Sequence, residues 1–104
     1  MNEIQERTDY EVQLEMAAQS KGVPEHSTGG LVRWAVYGIR PGSFLTSVLS
    51  NDLFDAMGQA DECNRDCLFN IVQFVFCDMP GGCWGSKEKV SVWKGIYDSG
   101  EEAR

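Results

Sequence analysis

What this sequence lacks narrows it quickly. No hydrophobic run approaches the ~20 residues that a membrane-spanning helix requires. The longest apolar stretch, around Val72–Cys77, is already interrupted by Gln73. Basic residues are scarce: nine Lys and Arg stand against sixteen acids, for a formal charge of −7. Such a surface repels phosphate backbones, so direct nucleic-acid binding is not expected. Histidine occurs once, at His26, and there is no G-x-S-x-G, P-loop or H-E-x-x-H pattern. Neither catalysis nor a cofactor is therefore expected. The opening MNEIQERTDYE is polar and acidic, the reverse of a secretory leader. A cytoplasmic location follows as the expectation, and there the four cysteines would stay reduced.

What is present is ordinary globular material, 42% hydrophobic and 24% charged, with eleven aromatic residues including three tryptophans. A chain of 104 residues suits one domain. Glycine and proline punctuation divides it into four or five helical segments, so the expected fold is all-α, a compact bundle of four to five short helices. Residues 1–22 read as an acidic N-terminal arm or helix, docked loosely, with Thr8 and Glu11 forming a capping box. Tyr10, Leu14 and Ala17 recur there at helical spacing. Residues 23–98 read as the helical domain and 99–104 as a frayed tail. Within the domain, a helix begins near Ser27 or Thr28 and ends at Gly38. A second starts at Ser43 and carries Leu45, Val48, Leu49, Leu53, Ala56 and Met57 as one continuous apolar stripe. A third begins at Asp61, where β-branched and aromatic residues over Ile71–Cys77 make a strand the competing reading. The last starts at Ser86 and turns Val90, Trp93, Ile96 and Tyr97 inward.

Cys63, Cys67, Cys77 and Cys83 are spaced C-x3-C-x9-C-x5-C. That is not a zinc-knuckle spacing, so core or half-buried thiols are expected and no metal. His26 beside Ser27 lacks the third group a catalytic pair needs. Asp52 falls on the apolar stripe and Asn64 on the inward face of the next helix. They would either be satisfied in a buried network with Asn51, Arg33 or a helix-start N–H group, or line a pocket or interface. Asn51-Asp52 and Asp61-x-x-Asn64 are the pairs to examine. Trp84, between glycines, is either an interface anchor or a lid folded back on the bundle. Gly29-Gly30 could bring backbone N–H groups to a phosphate.

Several blocks carry a resemblance. His26-Ser-Thr-Gly-Gly-Leu is followed by Gly38-Ile-Arg-Pro-Gly-Ser-Phe-Leu-Thr-Ser-Val-Leu-Ser-Asn-Asp-Leu, then Ala60-Asp61 with Asn64, then Cys83-Trp-Gly-Ser with Trp93. In that order, over Val23 to Trp93, the chain resembles a family of small proteins encoded by tailed bacteriophages and prophages. The acidic first twenty residues lie outside the match. The resemblance implies a bacterial cytoplasm during infection or lysogeny and an accessory product rather than a virion component. It carries no activity and no residue role. The expected function is a non-enzymatic phage accessory protein that binds a host or phage protein and modulates it, a defence or replication component for example. Self-association is also expected, because a small bundle gains core by dimerising. Contacts are expected from Trp84, Arg33, Tyr37 and the N-terminal acids. The alternative is an oligomeric binder of a nucleotide signal, with Arg33, Asn51, Asn64 and Trp84 converging on one cavity.

Overall fold

Short polar side chains decide where several helices begin. Asp52, Asp61 and Ser86 each accept a hydrogen bond from the backbone N–H three residues on, that of Asp55, Asn64 and Lys89 respectively. Each thereby satisfies one of the donors a helix start leaves unpaired. The computed structural model describes residues 3–99. Among them it shows eight α-helices, one 3₁₀ turn at Gly81–Cys83, and no strand. The helices are α1 (Glu3–Ser20), α2 (Glu25–Tyr37), α3 (Ser43–Leu49), α4 (Leu53–Gln59), α5 (Glu62–Asp66), α6 (Leu68–Asp78), α7 (Lys87–Val92) and α8 (Ile96–Ser99). Five reach seven residues or more, so the fold is the all-α bundle expected.

The core is built around α2. Leu31, Trp34, Ala35 and Val36 are buried there against Leu49, Ile71, Phe74, Val90 and Ile96. Burying side chains of this size is worth ~1.5–3 kcal/mol each. Trp34 is tied at both ends: its indole N–H donates to the Cys83 carbonyl at 2.9 Å, and its own carbonyl accepts from the Trp93 indole at 2.8 Å. The crossing beside it is backbone on backbone. A Cβ on Gly38 would sit 2.5 Å from the Lys94 carbonyl carbon, and one on Gly95 would sit 2.4 Å from the Val36 oxygen. Both glycines also have φ in the left-handed region, 70° and 105°, which side chains disfavour.

The sequence reading needs correction at five places, one of them the helix read from Asp61, which breaks at Cys67 into α5 and α6. The first helix starts at Glu3, so Thr8 lies inside it rather than capping it. It is also no loosely docked arm, since Tyr10, Leu14 and Ala18 are buried in the core. Ser27 and Thr28 lie within the first turn of α2, whose N-cap is Pro24. The long helix read from Ser43 to Met57 is two: the chain breaks at Asn51, whose φ is 63°, and Asp52 caps α4 instead of entering the core. The last helix likewise breaks after Val92, although Val90, Trp93 and Ile96 are buried as expected. Helix is the correct reading over Ile71–Cys77. Of the tail read as frayed, Ser99 closes α8 and residues 100–104 lie outside the described residues.

Candidate functional site

The sequence of α6, LFNIVQFVFCD, has more apolar residues than one face can bury. Ile71, Phe74 and Val75 go into the core. Two of the few polar residues fix the helix's rotation. Asn70 donates to the Gly22 carbonyl at 3.4 Å, and Asp78 accepts from Lys21 at 2.7 Å. That tie also holds the Lys21 ammonium above its usual pKa, chiefly through the hydrogen bond to Asp78. With α6 so held, Phe69, Val72 and Phe76 form an i, i+3, i+7 stripe facing solvent, at 76%, 43% and 65% exposure. A helix apolar all round ordinarily has both faces covered. Here one is open.

Across from that stripe, α4 buries Ala56 and exposes Leu53, Phe54 and Met57. Among the described residues, eleven large apolar side chains are exposed, and six belong to α4 and α6, so the exposure is concentrated rather than scattered. Between the two helices lies a groove of about 420 Å³, lined by Leu53, Ala56, Leu68, Val72, Phe76 and Trp84 among others. Trp84 closes one end, its ring 5.7 Å from that of Phe76 and tilted by 58°. The loop carrying it is pinned by the Gly85 N–H on the Leu49 carbonyl at 2.7 Å and by Lys89 Nζ on the Gly81 carbonyl at 3.0 Å. The Trp84 indole N–H is buried without an acceptor, whereas Trp34 and Trp93 both have one. The turn at Asn51 folds α4 back against α3 instead of continuing it.

The candidate residues read from the sequence are distributed over several places. Asn51 and Trp84 share this groove. Asp52 lies next to it, in an adjoining hollow with Lys87 and Glu88. Asp61 caps α5 at the surface, and the backbone N–H it accepts from, at 2.7 Å, belongs to Asn64. The Asn64 side chain is buried and accepts from the Ser27 hydroxyl at 2.8 Å. Arg33 and Tyr37 do not line this groove. Arg33 lines a second cavity of about 540 Å³ with Glu11, Glu15 and Glu25. Tyr37 lies 5.8 Å under the Arg7 guanidinium, which is also 5.1 Å from the Tyr97 ring. Its hydrogen bond with Glu11 raises the phenol above its usual pKa. Within one chain, then, Arg33, Asn51, Asn64 and Trp84 do not converge on a single cavity, as a nucleotide site built from them would require.

Other candidates resolve into packing. Gly30 lets α2 approach Leu45 and Pro41, and Gly29 lies under the Arg33 guanidinium, so the pair serves close contact. His26 is exposed while Ser27 turns inward to Asn64, which leaves no nucleophile–base pair there. Cys83 is buried, Cys67 half-buried, and Cys63 and Cys77 exposed. Desolvation, with Cys67 and Asp61 beside it, holds the Cys63 thiol above its usual pKa, which disfavours the reactive thiolate. The described residues contain no group of three or more potential metal ligands. The Ser47 hydroxyl donates to Asp55, tying α3 to α4. What sequence reasoning missed was Leu53, Val72 and Phe76 as an open surface. The signal was there, in the surplus of apolar residues along α6.

Fold and site together define a class: an all-α bundle that leaves one apolar groove open between two of its helices. No family model, no curated protein and no solved structure matches the chain. No helix among the described residues is long and apolar enough to cross a membrane.

Proposed function

We propose that this chain is a non-enzymatic phage accessory protein that acts in the bacterial cytoplasm by binding a host defence or replication protein and changing its activity. The observation that carries the reading is the apolar groove between α4 and α6 with its rim of exposed apolar side chains. Contiguous apolar surface of this kind is characteristic of protein–protein contact. A tryptophan packed against a phenylalanine at its end is the usual composition of an interface anchor. The phage setting rests on the resemblance over Val23 to Trp93.

The test uses the full chain as bait in a bacterial host. One host protein should co-purify in near-stoichiometric amount, and its activity should change when the purified chain is added. Leu53→Gln, at an exposed groove position, should lose that protein while retaining the wild-type melting temperature. Arg33→Ala, in a separate cavity, should keep it. Capture that is equal for the two variants removes the groove from the account.

A further inference from the structure

Resting on the groove as the docking site, we infer that its occupant is a cationic amphipathic α-helix, with apolar anchors on one face and Lys or Arg flanking them. Three observations lead to this ligand.

The first concerns backbone hydrogen bonds. The groove walls are helices, and the described residues contain no sheet edge. Apart from Asn51, the Trp84 indole and the backbone near Gly85, the lining is aliphatic or aromatic. An extended segment laid there would lose water from its N–H and C=O groups and find few partners, at a cost of ~1–3 kcal/mol for each unpaired group. A helix satisfies its own backbone and needs from the groove only apolar contact, the helix-in-groove mode read as i, i+3/i+4, i+7 anchors.

The second concerns shape. The start of α4 and the end of α6 meet at the Trp84–Gly85 loop, while the end of α4 and the start of α6 are joined through α5. The two walls therefore run antiparallel, with the groove along their length. The eleven residues of α6 give a wall of roughly 16 Å at ~1.5 Å per residue, about three turns of ligand helix. The exposed apolar residues continue past the groove onto Phe54, Met57 and Phe69, more surface than a small molecule could cover.

The third concerns charge. Asp78 is paired with Lys21, and Lys87 and Lys89 stand near the Trp84–Gly85 loop. From Asn51 to Asp66, however, the chain carries Asp52, Asp55, Asp61, Glu62 and Asp66 against one base, Arg65. That base is engaged, its guanidinium donating to the Ala60 carbonyl at 3.1 Å. Asp61, Glu62 and Asp66, all exposed, belong to α5 and its N-cap, the segment that joins α4 to α6. An apolar floor whose two walls are joined by an acidic segment attracts a basic amphipathic helix and speeds its encounter. The same charge opposes a second copy of this chain, which would bring a like-charged face against it.

The test is titration of the full chain at physiological salt with three synthetic peptides of about 18 residues, long enough to hold some helix alone. They are a Leu/Lys amphipathic helix, its Leu/Glu twin, and a scrambled Leu/Lys sequence without helical periodicity. The Leu/Lys helix should bind about tenfold or more tightly than either control. Val72→Gln, at an exposed mid-groove position, should weaken it about tenfold without changing the melting temperature. Equal binding of the Leu/Lys and Leu/Glu helices, both weakened by Val72→Gln, would overturn the charge inference and leave the groove reading standing. Equal binding of the helix and its scramble, indifferent to Val72→Gln, would reduce the effect to bulk charge and overturn the inference. No binding of either helix also overturns it. Should sedimentation show a dimer that Val72→Gln converts to monomer, the occupant is a second copy and the inference fails.

Discussion

Two sides of this bundle treat the same kinds of residue in opposite ways. On the side where α2 meets the Trp93–Gly95 segment, both tryptophan N–H groups have carbonyl acceptors and the backbones touch with no room for a Cβ. On the side where α4 faces α6, a third tryptophan leaves its buried N–H without an acceptor, and phenylalanines stand in solvent. Composition does not distinguish the two, since aromatic and aliphatic residues supply both. Completion does. The first side pairs its tryptophan N–H groups within the chain, and the second leaves a tryptophan N–H unpaired and apolar rings exposed among the described residues. If so, substitutions on the first should be costly to stability, and substitutions on the second should cost only binding.

The largest effect belongs to the closed side. Gly95→Ala places a methyl group 2.4 Å from the Val36 oxygen at a φ of 105°. The backbone strain alone is worth ~1–3 kcal/mol, and relieving the clash requires moving α2 or α8. We expect a loss of about 3 kcal/mol or more, read as a fall of roughly 12 °C or more in Tm. A fall of only a few degrees would mean that the crossing is looser than described, and the contrast between the sides would weaken.

The buried pair Ser27–Asn64 should come next. Removing Asn64 strands a hydroxyl that is almost wholly buried, and Asn64→Ala should cost about 2 kcal/mol by urea unfolding. Ser27→Ala should cost about as much, and the double variant less than the sum by at least ~0.5 kcal/mol, because the second change no longer strands a partner. Strict additivity would show that the two side chains do not depend on one another.

The closed side was the more legible in sequence, for a physical reason. Its residues announce themselves by period: Leu31, Trp34 and Ala35, then Val90, Trp93 and Ile96, recur at helical spacing because one face must be buried. Ser86 and Asp61 were readable as helix starts because a short side-chain oxygen can reach the N–H three residues on. The break between α3 and α4 was hidden because Leu45 to Met57 continues in helical register through it. Asn51 is a residue type that tolerates the left-handed backbone on which the break turns. The sequence marks Trp84 as an anchor or a lid, but does not mark Phe76, Val72 and Leu53 as surface. A periodicity argument assigns apolar residues to the core and has no means of saying that a helix carries one stripe too many. The partners of Asn64 and Asp52 were equally out of reach, since both depend on which helix faces which.

The smallest effect is expected on the open side, and it separates the two sides most sharply. Phe54 is 88% exposed and Phe69 is 76% exposed, so little of either ring leaves water on folding. Each Phe→Ser change should therefore shift unfolding free energy by no more than about 0.5 kcal/mol. A phenylalanine removed from a core costs ~3–5 kcal/mol by contrast. Serine lowers helix propensity by only a few tenths of a kcal/mol relative to the better formers, so the backbone contributes little. The double variant Phe54→Ser/Phe69→Ser should melt within a few degrees of wild type and show less concentration-dependent scattering on heating, because exposed apolar surface promotes association. A loss of 2 kcal/mol or more would mean that these rings are covered in solution. The side described as open would then be a closed one, completed by another copy of the chain.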